Sequence, residues 1–117
     1  MALNSNLNNK ANASDLDGMK FYTDVAKVIS IADPTINQVC YSMPANSVLV
    51  SNINNFSSFP KTWGDLFITC NQSRHCVVRL ASEQVTLGKY YEYAYYAKRN
   101  SDGSVTGSGW KTIYADA

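Results

Sequence analysis

From residue 47 onward the chain alternates apolar and polar positions with a period of two, the pattern of strands that bury one face. Ser47-Val48-Leu49-Val50-Ser51 is a short apolar strand. Leu66-Phe67-Ile68-Thr69-Cys70 and Cys76-Val77-Val78-Arg79-Leu80 read as a hairpin around Asn71-Gln72-Ser73-Arg74-His75. Val85-Thr86-Leu87 reads as a short strand ended by Gly88. The last hairpin is the strongest. Tyr91, Tyr93, Tyr95 and Ala97 share one face and Tyr90, Glu92, Tyr96 and Lys98 the other. Asn100-Ser101-Asp102-Gly103-Ser104 and Gly107-Ser108-Gly109 supply the connection, and Trp110 to Tyr114 returns.

The first half is less regular. Residues 2–17 are rich in Asn, with Leu3, Leu7 and Ala11 four apart, so they read either as the last turns of a coiled coil or as a tail ahead of the domain. Asp17-Gly18 is the first strong break. Between Met19 and Ala32, Phe21, Val25, Ile29 and Ile31 fit a strand face, while Val25, Val28 and Ile29 fit a helical stripe. The β-branched run Val28-Ile29-Ser30-Ile31 favours strand at the end, before Asp33-Pro34 interrupts it. Thr35 to Tyr41 is a strand candidate closed by Met43-Pro44-Ala45-Asn46, and residues 52–62 form a loop with Phe56 and Phe59 as anchors. The fold expected is mainly β: a small antiparallel sandwich or knob of roughly five to eight strands over residues 18–117. A short N-terminal helix over residues 1–17 precedes it. In that sandwich the Tyr91/Tyr93/Tyr95 face closes against Leu66, Ile68, Val78 and Leu80.

Composition narrows the function. A chain of 117 residues is one domain with a short extension. Ten Lys and Arg against nine Asp and Glu leave no basic surplus for nucleic acid. No apolar run approaches the roughly 18 residues of a membrane span, and no signal peptide follows Met1. Three cysteines without a Cys-x-x-Cys pair are the usage of a reducing cytoplasm. Cys70 and Cys76 flank the hairpin turn and can face each other, as unpaired buried thiols.

Catalytic chemistry finds little support. His75 is the single histidine, and its neighbour Cys76 points away from it on a strand, so no nucleophile–base pair forms in sequence. No close ligand pair starts a zinc site, and Asp65, Glu83 and Glu92 form no evident acid/base pair for glycoside hydrolysis. Neither a metal nor a cofactor is expected. The eight tyrosines are the signal. Tyr gives broad contact area with a polar tip. Tyr90 and Tyr96 point away from the core face and must meet solvent, a neighbouring subunit or a ligand.

Two segments carry a family resemblance. Phe59-Pro60-Lys61-Thr62-Trp63-Gly64-Asp65-Leu66-Phe67-Ile68 resembles the "Pro, small gap, aromatic-Gly, strand" segment of pyocin-knob-like domains in phage tail fibres. Tyr95-Tyr96 through Lys111 resembles their closing pattern of an aromatic pair, an Arg, a polar turn and a Trp-basic strand. Leu3 to Leu16 resembles the short helical shaft before such heads. The chain departs from the pattern at Ala97, where the family often has Arg, and at Val105-Thr106, where it often has a second Trp.

The resemblance implies a homotrimer and a non-enzymatic receptor-binding head of a phage or phage-like tail fibre. The head would meet a bacterial surface glycan, and the chain would be assembled in the host cytoplasm and carried at the fibre tip of the virion. The alternatives are a structural trimerisation or capping module without its own ligand, and an accessory domain of a polysaccharide-degrading tailspike. Glycan sites combine an aromatic platform with amides and charges. The candidates are therefore Tyr90, Glu92, Tyr96, Arg99 and Asp102, with Arg74 and His75 behind them.

Overall fold

The computed structural model describes residues 18–117, so the expected helical shaft over residues 1–17 lies outside the described residues. Seven strands form one sheet: β1 (Lys20–Tyr22), β2 (Ser47–Ile53), β3 (Gly64–Cys70), β4 (His75–Gln84), β5 (Lys89–Arg99), β6 (Val105–Gly107) and β7 (Lys111–Ala115). The order is β1-β2-β3-β4-β5-β6, with β1 parallel to β2 and every other pair antiparallel. Strands β6 and β7 share the outer edge of β5. The first takes Ala97 to Arg99 and the second Tyr91 to Ala94, with a bulge at Glu92/Tyr93.

The mainly β class is as expected, but the layers differ from a sandwich. One sheet is covered on one face by a helix and a loop. Leu66, Ile68, Val78, Leu80 and Tyr95 lie side by side on that face, because Leu66 stands opposite Leu80 and Ile68 opposite Val78, which in turn faces Tyr95. They form a continuous lining rather than two opposed walls.

The cover comes from a segment whose sequence reads two ways. Thr35 to Tyr41 is not a strand: helix α1 spans Ile36–Ser42. Thr35 Oγ1 accepts the Gln38 amide N–H at 3.2 Å and Gln38 Oε1 accepts the Thr35 amide at 2.9 Å. This reciprocal cap satisfies two donors that a helix start leaves open. Ile36, Val39, Cys40 and Met43 are buried, the i, i+3, i+4, i+7 stripe of a helix against a core. Met43 is extended and Pro44 follows, which ends the helix. Burying a side chain of Leu or Met size contributes about 1.5–3 kcal/mol, so this stripe outweighs the β-propensity of Ile36 and Val39.

Upstream, only Lys20–Tyr22 is strand; Val25–Lys27 is a 3₁₀ turn whose start is capped by Asp24, which accepts the Ala26 amide at 3.0 Å. The expected strand at Val28 to Ile31 does not form, and Ile31 stands half exposed. The loop after β2 behaves as anticipated, with Phe56 and Phe59 buried. Phe59 sits 5.2 Å from the Trp110 ring and Trp110 lies 5.1 Å from Tyr95, so one aromatic chain joins the loop to the C-terminal strands. Asp33 accepts the Ser57 amide at 2.7 Å and the Ser57 hydroxyl at 2.5 Å, which ties the approach to α1 onto the same loop.

Serines at inward strand positions are satisfied locally. Ser47 Oγ donates to Pro44 O at 2.6 Å, and Ser82 Oγ donates to Trp63 O at 2.5 Å. Two glycines permit close approaches. Gly64 has φ +143, and a Cβ there would lie 2.5 Å from Ala81 O. A Cβ on Gly107 would overlap the Tyr95 hydroxyl, which donates to Asn37 Oδ1 at 2.7 Å and pins β5 to α1.

Val85–Leu87 is a 3₁₀ turn rather than a strand, ended by Gly88 at φ +64. It links β4 to β5, where Gln84 pairs with Lys89, and leaves Val85 and Leu87 exposed. The β3–β4 turn is one residue tighter than expected, since His75 already belongs to β4. Arg74 takes φ +65, and Asn71 Oδ1 accepts the amides of Ser73 and His75 at 2.9 Å each.

Candidate functional site

Alternation on five adjacent strands builds the face that no described element covers. Register places Phe21, Val48, Thr69, Val77 and Tyr96 in one row, and Val50, Phe67, Arg79 and Ala94 in the next. A third row holds Asn52, Asp65, Ala81 and Glu92. Phe21, Val50, Val77 and Tyr96 are each about half exposed. The face is rich in apolar side chains with charged groups at its flanks, the kind of exposed patch in which interaction sites are often found.

Three of the five favoured residues share this face. Tyr90 donates its hydroxyl to Glu92 Oε1 at 2.7 Å, and the other carboxylate oxygen lies 3.8 Å from Arg79 Nε. The accepting carboxylate raises the Tyr90 pKa above its usual value, with partial burial adding to the shift. Tyr114 stands opposite Glu92 and its ring lies 6.1 Å from that of Tyr90. Tyr96 projects from the same face near the other end of β5, and its backbone is clamped by Ser108, with Ser108 N donating to Tyr96 O at 2.8 Å and Tyr96 N to Ser108 Oγ at 2.9 Å. Six residues of strand separate Tyr90 from Tyr96, a rise of about 20 Å. They therefore mark two ends of one surface.

Arg99 and Asp102 are elsewhere. Arg99 falls on the covered face, stacked over Tyr41 at 4.4 Å and donating to the Tyr41 hydroxyl at 3.3 Å. Asp102 holds its own turn by accepting the Ser104 amide at 2.9 Å and hydroxyl at 2.6 Å, which depresses its pKa. Arg74 donates to the Tyr41 carbonyl at 2.8 Å, at the C-terminal end of α1. His75 does reach the open face, directly opposite Lys98.

Arg79, Val77 and Lys98 were not among the candidates. Arg79 lies over the Phe67 ring at 4.7 Å as well as beside Glu92. Counting outward from the β4–β5 link would have placed all three beside Tyr96, since Gln84 and Lys89 set the register.

The chemistry of the thiols is closed. Cys70 and Cys76 are opposite each other and Cys40 approaches from α1, all three free and buried. Burial, reinforced by Cys76, pushes the Cys70 thiol up to about 12. Cys76 is driven up as well, chiefly by its hydrogen bond with Cys40 and then by burial. Thiols so held stay neutral and are poor nucleophiles. His75 lies on the opposite side of β4 from Cys76, so the two form no dyad. Among the described residues no cluster of three or more His, Cys, Asp or Glu is placed to hold a metal ion. No helix among them is long and apolar enough to cross a membrane.

Set beside known protein families, curated proteins and solved structures, the chain matches none.

Proposed function

We propose that this chain is a non-enzymatic binding module, the receptor-recognising head of a phage or phage-like tail fibre, which meets a bacterial surface glycan through its open sheet face. The observation that carries the reading is the projection of Tyr90, Glu92 and Tyr96 from that face, with Arg79 and Tyr114 beside them. Sugars offer an apolar C–H face and many hydroxyls, and exposed tyrosines flanked by charged groups complement both. The resemblance of Phe59–Ile68 and Tyr95–Lys111 to knob-like heads supports the same assignment, with a homotrimeric fibre as its setting.

The half-exposed Phe21, Val50 and Val77 favour a second reading, a trimerisation or capping module in which this face packs on a neighbouring subunit. Substituting Tyr96 by Ala separates the two. Loss of cell binding with the solution mass unchanged assigns Tyr96 to a ligand. A fall in solution mass assigns it to a subunit contact and sinks the glycan reading at this position.

A further inference from the structure

The open face is not uniform. Where β4, β5 and β6 meet, a shallow depression of about 390 Å³ is laid out as a small grid. His75, Lys98 and Thr106 stand opposite one another across the three strands. Directly opposed residues hold their Cβ atoms about 4.5–5.5 Å apart, so the three polar groups form one short row. In the next row Val77 faces Tyr96, and the Ser108 clamp fixes the Tyr96 backbone. None of the residues lining this depression carries a carboxyl group.

We infer that this depression takes a sugar residue bearing a carboxylate, a uronic-acid-type unit of a surface polysaccharide. The inference rests on the glycan-binding reading above and specifies its ligand class. Tyr96 is 46% exposed and Val77 53% exposed, and together they offer an apolar shelf on which a sugar ring can stack. Lys98 and His75 border one side of that shelf. The ion pair among the described residues joins Arg79 to Glu92, which leaves the Lys98 ammonium without a carboxylate partner among them. The acidic side chains nearest in sequence are committed elsewhere, Glu92 to Tyr90 and Arg79 and Asp102 to Ser104. A neutral sugar would leave the Lys98 charge unmatched. A carboxylate at the ring edge meets it with a charge-assisted hydrogen bond, and the His75 imidazole adds a further N–H donor. Thr106 Oγ1 already accepts from Asn100 Nδ2 at 2.8 Å, so its hydroxyl hydrogen is available to a sugar oxygen.

The test is an array that presents oligosaccharides of glucuronate, galacturonate and sialate beside neutral counterparts of the same linkage. It is probed with the full chain, with Lys98→Gln, and with Lys61→Gln. The last removes the same charge from the covered side of the sheet, where Lys61 Nζ lies 3.9 Å from the Tyr91 ring centroid. Carboxylated ligands should bind roughly ten-fold more tightly than neutral ones, the size expected for a hydrogen bond to a charged group. Lys98→Gln should erase that preference and Lys61→Gln should preserve it. Equal binding of neutral sugars, equal behaviour of the two variants, or tighter binding of phosphorylated or sulfated analogues would overturn the inference. Binding to cells without binding to any carboxylated glycan overturns it too, while leaving the wider reading intact. Binding to neither cells nor glycans removes both.

Discussion

The two faces of this sheet are made by the same strands and differ in what reaches them. On β4, Val78 and Leu80 are wholly buried beneath α1 and the Phe56–Phe59 loop, while Val77 and Arg79 are exposed. The covered face is nearly all apolar, with its buried serine hydroxyls bonded to the backbone. The open face mixes half-exposed Phe, Val and Tyr with an Arg–Glu pair and a Lys–His pair. One face is explained by the chain itself. The other is left open by every described element, and the exposed halves of Phe21 and Val77 add little to the stability of the domain.

The largest expected effect tests that division directly. Leu80→Ala should cost about 2–5 kcal/mol in chemical denaturation, since it leaves a cavity in a close-packed layer. Val77→Ser, one strand position class away, should stay within about 0.5 kcal/mol for an isolated domain. A loss from Val77→Ser that grows with protein concentration would break the comparison, because it would show that the open face is covered in solution.

An intermediate effect probes how the cover is fastened. Gly107→Ala places a methyl group where the Tyr95 hydroxyl lies, with Asn37 Oδ1 only 2.7 Å from the added carbon. The expected loss is about 1–3 kcal/mol, the usual penalty for overpacking. Tyr95→Phe alone removes a hydrogen bond and should cost about 1 kcal/mol. Combined with Gly107→Ala it should recover only part of the loss, because the nearest obstructing atom is gone while Tyr95 Cζ and Asn37 Oδ1 stand 2.6 and 2.7 Å from the added carbon. Strict additivity of the two changes would mean that α1 is not held to β5 through this contact.

What the sequence disclosed divides along the same line. Alternation alone located β2, the β3–β4 hairpin and the long β5, since period two is local and survives any tertiary arrangement. It also assigned Tyr91 and Tyr95 correctly to the core side and Tyr90 and Tyr96 to the other. The cover was harder to read. Thr35-x-x-Gln38 is a capping signature and Ile36, Val39, Cys40 and Met43 keep helical spacing, but a seven-residue helix is too short for periodicity to outvote β-branched residues. The sandwich followed instead from setting the Tyr91/Tyr93/Tyr95 face against Leu66, Ile68, Val78 and Leu80 as opposed walls, whereas register puts them side by side in one sheet. The candidate site was half legible for the same reason. Strand parity fixes the side that Tyr90, Glu92 and Tyr96 occupy, yet Arg99, a candidate beside them, has an odd position that puts it opposite. Lys98 and Arg79 became visible only when register joined β4 to β5.

The smallest effect concerns the far end of the open face. Glu92 accepts from Tyr90 and lies beside Arg79, on a surface where Arg79 is 54% exposed. An exposed pair of that kind is worth only about 0.2–1 kcal/mol, so Glu92→Gln should barely move the denaturation midpoint at neutral pH. Its signature is electrostatic. The Tyr90 pKa is raised chiefly because its hydroxyl donates to a carboxylate, and the negative charge also opposes formation of the phenolate. A raised value means that the folded state holds the proton more tightly than the unfolded chain. The associated stability is present below the ordinary tyrosine range and is lost as pH rises through the folded value. Glutamine can still accept the hydrogen bond but carries no charge, so Tyr90 should titrate at lower pH in the variant, and the alkaline loss of stability should shrink with it. Ultraviolet titration of the phenolate, with Tyr90→Phe to assign the band, reads both. An unchanged Tyr90 titration in Glu92→Gln would show that the carboxylate is turned outward in solution. That would leave Glu92 free to accept hydroxyls from a ligand and would extend the proposed binding surface from the Lys98 end of the open face to this one.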